Sequence, residues 1–161
     1  IKEPADYDAM SEIMWCGSLS HNDLTGLGRE KDFCVHKFGH ALGAKYDLAH
    51  GATLSAMWGS WAEYVYRYDV DRFCHYGQKV WGIQGKDAVE TAREAIRKTV
   101  DYFRSLEMPV NLKELEIGTL SDDTLMELAM NATKGGTVKL SKIKELDVND
   151  VYQIFQSANG R

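Results

Sequence analysis

The stretch KDAVETAREAIRKTVDYFRSL, Lys86–Leu106, decides the fold. Val89, Ala92, Ile96, Val100 and Phe103 recur at intervals of three and four, the period of one helix face. No glycine or proline interrupts it, and Pro109 follows as a stop. The same reading extends in both directions. Downstream, NLKELEIG (111–118) reads as a turn or single-turn helix. SDDTLMELAMNATK (121–134) opens with the N-cap residue Ser121 and acids in its first turn. GGTVKLSKIKEL (135–146) is the least helical piece and reads as an irregular loop. DVNDVYQIFQSANG (147–160) gives a last helix from about Asn149, with Val151, Ile154 and Phe155 inward.

Upstream, a helix from Asp71 to Trp81 turns Phe73, Tyr76 (or Cys74) and Val80 inward, and Gly82 and Gly85 bracket the break after it. A helix from His50 to about Tyr68 carries a wide apolar face of Leu54, Met57, Trp58, Trp61, Tyr64, Val65 and Tyr68, the pattern of a helix buried on several sides. Before it, Lys31–Lys45 reads as a helix with Phe33, Phe38, Ala41 and Leu42 apolar. Ala5–His21 reads as the first helix, with Pro4 suited to a first turn and Tyr7, Met10, Met14 and Leu19 on one stripe. Gly26 and Gly28 end it. No strand alternation, repeat or low-complexity segment is visible. The expectation is an all-α helical bundle.

Composition agrees. The 161 residues are 44% hydrophobic and 27% charged, enough for one domain with a real core and unlike a disordered chain. With 19 Lys and Arg against 24 Asp and Glu, the net charge of −5 argues against nucleic-acid binding. No apolar run is long enough to suggest a membrane span. Cys16, Cys34 and Cys74 match neither a disulfide framework nor a CxxC metal site, and read as buried or semi-buried thiols in a reducing cytoplasm.

The chemistry gathers elsewhere. Three of the five histidines fall in VHKFGHALGAKYDLAHG, Val35–Gly51. His36 and His40, four apart, share one helix face. His50 follows a short loop, and a helix–loop–helix reversal could return it beside His36. Imidazole is the commonest ligand of zinc, iron and related cations, so the three form a candidate metal site. Chance placement, with each ring solvated or hydrogen-bonded, is the alternative that spacing leaves open. The metalloprotease motif HExxH is excluded, because Lys37 stands where its general base would be, and the longer motif's third histidine is replaced by Tyr46. A zinc site needs three or four protein ligands. Asp47 can serve as a further ligand or equally as a capping residue. His21 and His75 read as solvent-facing. Trp58 and Trp61 read first as core and second as lining of a substrate pocket.

His36-x3-His40-x9-His50-Gly51, with Gly39, Leu42, Gly43 and Tyr46 between, resembles the C-terminal motif of the iron-containing (group III) alcohol dehydrogenases, in particular their butanol dehydrogenase branch. EPADYDAMSEIMWCGSLSHNDLTGLG before it, and FCHYGQKVWGI and TVDYFRSLEMPVNLKEL after it, extend the resemblance over essentially the whole chain. The resemblance implies that residues 1–161 are the helical C-terminal, metal-binding domain of a larger enzyme. The dinucleotide-binding domain and the first part of the helical domain would then lie upstream of Ile1. It implies His36 and His50 as metal ligands, completed by an Asp and a His of an upstream DxxxH segment. It implies His40 as a catalytic residue near metal and nicotinamide, binding substrate or transferring a proton. The cofactors it implies are Fe²⁺ or Zn²⁺ and NAD or NADP, the substrate a small alcohol or aldehyde, and the assembly a homo-oligomer. The chain alone is then expected to be inactive. The competing reading is a stand-alone helical module that binds a metal or a partner and catalyses nothing.

Overall fold

The computed structural model describes residue 3 and residues 5–160. Ile1 and Pro4, with the first-turn role expected of Pro4, lie outside the described residues. The chain divides into two compact units, Ile1–Asp32 and Phe33–Arg161.

In the first unit, α1 (Tyr7–His21) starts where Asp6 caps it, its carboxylate accepting from the Ala9 N–H. A single 3₁₀ turn follows at Leu24–Gly26, and Gly28 takes a positive φ of 71°. The expected apolar stripe buries nothing: no residue of α1 is buried, and Trp15 is 62% exposed. Cys16 is consequently exposed, against the expectation of a sheltered thiol, whereas Cys34 is buried and Cys74 half-buried.

The second unit holds α2 (Cys34–Tyr46), α3 (His50–Val65), α4 (Val70–Val80), α5 (Ala88–Ser105), α6 (Asp122–Ala132) and α7 (Val148–Gly160). The helix α3 is its axis, packed by α2, α5 and α7, while α4 lies on α5 and α6 on α2 and α7. The expected wide face of α3 is corrected by this arrangement. Besides Met57 and Val65, its buried residues are small: Thr53, Ser55, Ala56, Gly59, Ser60 and Ala62. Leu54, Trp58, Trp61 and Tyr64 are only half-buried, and Tyr68 is exposed in a 3₁₀ turn, Tyr66–Tyr68. Three helices approach α3 closely, which small side chains permit. Trp58 meets Phe103 edge-on at 6.0 Å and Trp61 lies 6.2 Å from Phe73, so both tryptophans pack between helices.

The strongest periodicity, in α5, holds with a rotation. Ala92 and Ile96 are buried as expected, joined by Thr91, Ala95 and Thr99, while Val89 is exposed. The cause is α4, whose buried Gly77 sits where an added Cβ would lie 3.0 Å from Ala95 and Thr91. Phe73 of α4 is buried, but Val80 is 59% exposed, at the helix end beyond this contact. Phe33 was expected inside the second helix. It is instead the N-cap of α2 and half exposed, because α2 begins three residues later than the pattern suggests.

The rest follows the sequence closely. Ser121 caps α6 through the Thr124 N–H, and residues 113–115 form one 3₁₀ turn. Among the described residues no strand forms; the loop before α7 makes one antiparallel bridge, Leu140 with Leu146. A reciprocal capping box opens α7: Asp147 accepts from the Asp150 N–H and Asp150 from the Asp147 N–H, both at 3.0 Å. Asp150 also accepts from the Tyr64 hydroxyl at 2.6 Å and the Lys144 ammonium at 2.5 Å, tying α7 to α3. Burial pushes the Asp150 carboxyl up, but Lys144, Tyr64 and the Asp147 N–H outweigh it and hold it below the ordinary carboxylate range. A carboxylate depressed in the folded state stabilises above its unfolded pKa, and that contribution is lost as pH falls through the folded one. Asp150→Asn is therefore expected to lower the midpoint of urea unfolding at neutral pH, with the difference shrinking in acid. An equal deficit across that range would contradict the assignment.

Candidate metal centre

The histidines are set by α2, the connection after it, and the first turn of α3. His36 and His40 lie one turn apart on α2. Asp47 ends that helix in the left-handed conformation (φ 52°), its N–H donating to the Gly43 carbonyl at 2.9 Å. Asp is among the few residues that adopt this conformation readily, through its short polar side chain. Three residues, Asp47–Ala49, then reverse the chain, and α3 starts at His50 itself. The Thr53 hydroxyl donates to the His50 carbonyl at 2.7 Å.

Gly39 lets the two helices meet here. A Cβ at that position would lie 2.7 Å from the Thr53 hydroxyl, 3.0 Å from Leu54 Cδ2 and 3.4 Å from His50 Cε1. Gly39→Ala is accordingly expected to push α3 away and to cost about 1–3 kcal/mol, as overpacking does. It should also weaken any metal response of His36 and His50. Wild-type denaturant stability with an unaltered metal response would remove Gly39 from this account.

The result is a cluster. His36 Nδ1 and His50 Nε2 stand 3.0 Å apart. His40 stacks on His50 with ring centroids 4.9 Å apart and planes at 23°, and its centroid is 6.2 Å from that of His36. One nitrogen from each of the three lies within 4.8 Å of the others. Phe33 meets His36 at 5.1 Å in an edge arrangement. His36 is half-buried, while His40 and His50 are exposed. Partial desolvation, then the neighbouring His50 and the Lys37 ammonium, hold His40 below the ordinary imidazole value.

The donor set fits a divalent cation. Two nitrogens that each bind one ion at about 2.0–2.1 Å stand about 3.0–3.4 Å apart over right-angled to tetrahedral geometry. The His36–His50 separation falls in that range. Neutral imidazoles suit zinc and iron alike, and two or three of them leave room for further ligands.

The profile of the Fe-containing alcohol dehydrogenase family, C-terminal, matches residues 1–159. The chain belongs to the iron-containing alcohol dehydrogenase family. Over 155 residues it is 37% identical to NADH-dependent butanol dehydrogenase A of Clostridium acetobutylicum, covering 95% of this chain and 39% of that protein. It is 27% identical to the NADPH-dependent aldehyde reductase YqhD of Escherichia coli, over 98% of this chain and 40% of the relative. The crystal structure of NADH-dependent butanol dehydrogenase A from Thermotoga maritima superimposes with a TM-score of 0.87 at 26% identity, over 98% of this chain and 40% of that one. The chain thus spans about two fifths of the length of these relatives. Its all-helical fold is that of the family's C-terminal region.

Within this iron-type dehydrogenase region, the structure brings His36, His40 and His50 together. It leaves out Asp47, which serves as the C-cap of α2 and is no member of the cluster. His75 is exposed on α4, and His21 is exposed at the end of α1 in the other unit. Phe33 and Thr53 were not anticipated at the site. Phe33 immediately precedes α2, but only the helix's later start places it against His36.

Proposed function

We propose that residues 1–161 are the helical C-terminal domain of a metal-dependent, NAD(P)-linked alcohol dehydrogenase or aldehyde reductase acting on small aliphatic alcohols and aldehydes. The observation that carries this reading is the 3.0 Å approach of His36 Nδ1 to His50 Nε2, within a chain of this family. His36 and His50 hold the cation, Fe²⁺ or Zn²⁺. An Asp and a His from a further part of the enzyme complete its shell, as the family resemblance implies, and a dinucleotide-binding domain carries NAD or NADP. The bound cation supplies Lewis-acid polarisation of the substrate oxygen, and hydride transfer is the chemistry of the nicotinamide.

The chain's own residues do three things. The α2–α3 reversal fixes two imidazoles at the spacing of a shared ion before any ion arrives, so little ordering entropy is lost on binding. Thr53 and Gly39 hold the start of α3 against α2 and thereby keep His50 in place. His40, stacked on His50 and open on its solvent side, accepts the proton of the alcohol and releases it to water, or returns it in the reductive direction. The working unit is a cytoplasmic homo-oligomer. Among the described residues no helix is long and apolar enough to cross a membrane.

Metal titration of the 161-residue chain tests this reading. With part of the shell supplied from elsewhere, the chain should bind Zn²⁺ weakly through His36 and His50 and show no dehydrogenase activity. Joined to the rest of the enzyme it should retain one ion per subunit through dialysis. Tight, stoichiometric metal in the chain alone would mean that the ligands have been misassigned. It would favour a self-sufficient metal-binding module.

A further inference from the structure

Beside His40, α2 and α6 enclose a pocket of about 400 Å³. That volume lies at the lower end of the small-ligand range. Its floor is Ala41, Ala44 and Ala132, and its polar lining is Lys37, His40, Lys45, Glu127, Asn131 and Lys134. Lys45 is matched by Glu127 at 2.6 Å. Among the described residues, Lys37 and Lys134 have no carboxylate within ion-pair distance. The pocket therefore carries two uncompensated positive charges in a chain whose net charge is −5. Lys134 is held over the pocket by the turn that closes α6, where it takes φ 50° and its N–H donates to the Asn131 carbonyl at 3.2 Å. The Lys37 charge reaches the cluster, since it contributes to lowering His40. A concave site with low-dielectric walls and one sign of charge concentrates ligands of the opposite sign.

We infer that this pocket binds a carboxylate carried by the substrate itself, so that the enzyme takes short aldehyde acids and hydroxy acids in addition to uncharged alcohols. Lys37 and Lys134 are the specificity-determining residues, and Asn131 is the neutral hydrogen-bonding partner between them. This rests on the proposed function, because the pocket matters to the reaction only if His40 stands at the reacting carbonyl. Lysine acts here as a mobile point charge, which suits carboxylates presented on chains of different length. The same anion chemistry could be met by the pyrophosphate of a dinucleotide, and the experiment separates the two.

The ¹⁵N-labelled chain is titrated at constant ionic strength with succinate, 1-butanol and inorganic pyrophosphate, reading the His40 ring and Asn131 side-chain resonances. The same titrations are run on the Lys37→Gln/Lys134→Gln double variant, whose amide dispersion reports folding. Succinate is expected to give saturable shifts at both residues, 1-butanol none at Asn131, and pyrophosphate weaker binding than succinate. In the double variant the succinate affinity should fall at least about tenfold, the loss of charge-assisted contacts. Absence of saturation with succinate, equal affinity in the double variant, or tighter binding of pyrophosphate would each overturn the inference. Zn²⁺ added to the same samples reads His36 and His50 separately. An absent zinc response in the wild type counts against the proposed metal site, whatever succinate does.

Discussion

Replacing His50 with alanine in the whole enzyme should empty the metal site and abolish turnover. The ring nitrogen of His50 stands 3.0 Å from that of His36, and each is a donor the other cannot replace. Loss of a Lewis acid worth several kcal/mol of transition-state stabilisation corresponds to a fall of about 10³-fold or more in kcat/KM. His36→Ala should behave in the same way. His40→Ala should differ in kind: metal content by elemental analysis stays near one ion per subunit, while kcat falls about 10²–10⁴-fold, the usual worth of a general acid–base. If His40→Ala emptied the site as thoroughly as His50→Ala, His40 would be a ligand and the division of roles would fail. The three-ring cluster makes that outcome a real test, since all three nitrogens lie within 4.8 Å.

The second large effect is on stability. Phe155 of α7 is fully buried and packs on Phe38 of α2, ring centroids 5.5 Å apart. Phe38 lies between His36 and His40 in sequence but faces the core, so this contact anchors α2 behind the histidines. Phe155→Ala removes a whole ring from a closed core and should cost about 3–5 kcal/mol. Total domain stability is typically about 5–15 kcal/mol, so the loss is a large share of it. A fall in the urea midpoint with little change in m-value is expected, and Phe155→Leu should cost less. A change below about 1 kcal/mol in Phe155→Ala, the scale of a volume-conserving swap, would show that the α2–α7 contact contributes little.

How much of this was legible in the chain depends on the kind of signal. The ends of α5, α6 and α7 were readable because Asp87, Ser121 and Asp147 are capping residues followed by helical spacing. The faces of α1 and α3 were not. Apolar spacing marks which side of a helix prefers burial, but not how near its neighbours come. In α3 the neighbours come close, and alanine, glycine and serine take the interior while the tryptophans sit half-buried between helices. In α1, regular spacing coexists with complete absence of burial.

The site divides similarly. One helical turn between His36 and His40 follows from spacing alone. The return of His50 depends on Asp47 taking a left-handed conformation and on Gly39 leaving space for Thr53 and Leu54. Neither can be read without knowing which helix faces which. The pocket beside His40 was likewise invisible, because Lys37 and Lys134 are brought to one place only by the packing of α6 on α2.

The most direct test is a crystal of the whole enzyme soaked with Zn²⁺, with the ion located by its anomalous scattering. The account predicts one strong peak per subunit within about 2.0–2.1 Å of a ring nitrogen of both His36 and His50, with His40 outside bonding distance. A peak that touches neither ring, or only one of them, would contradict it.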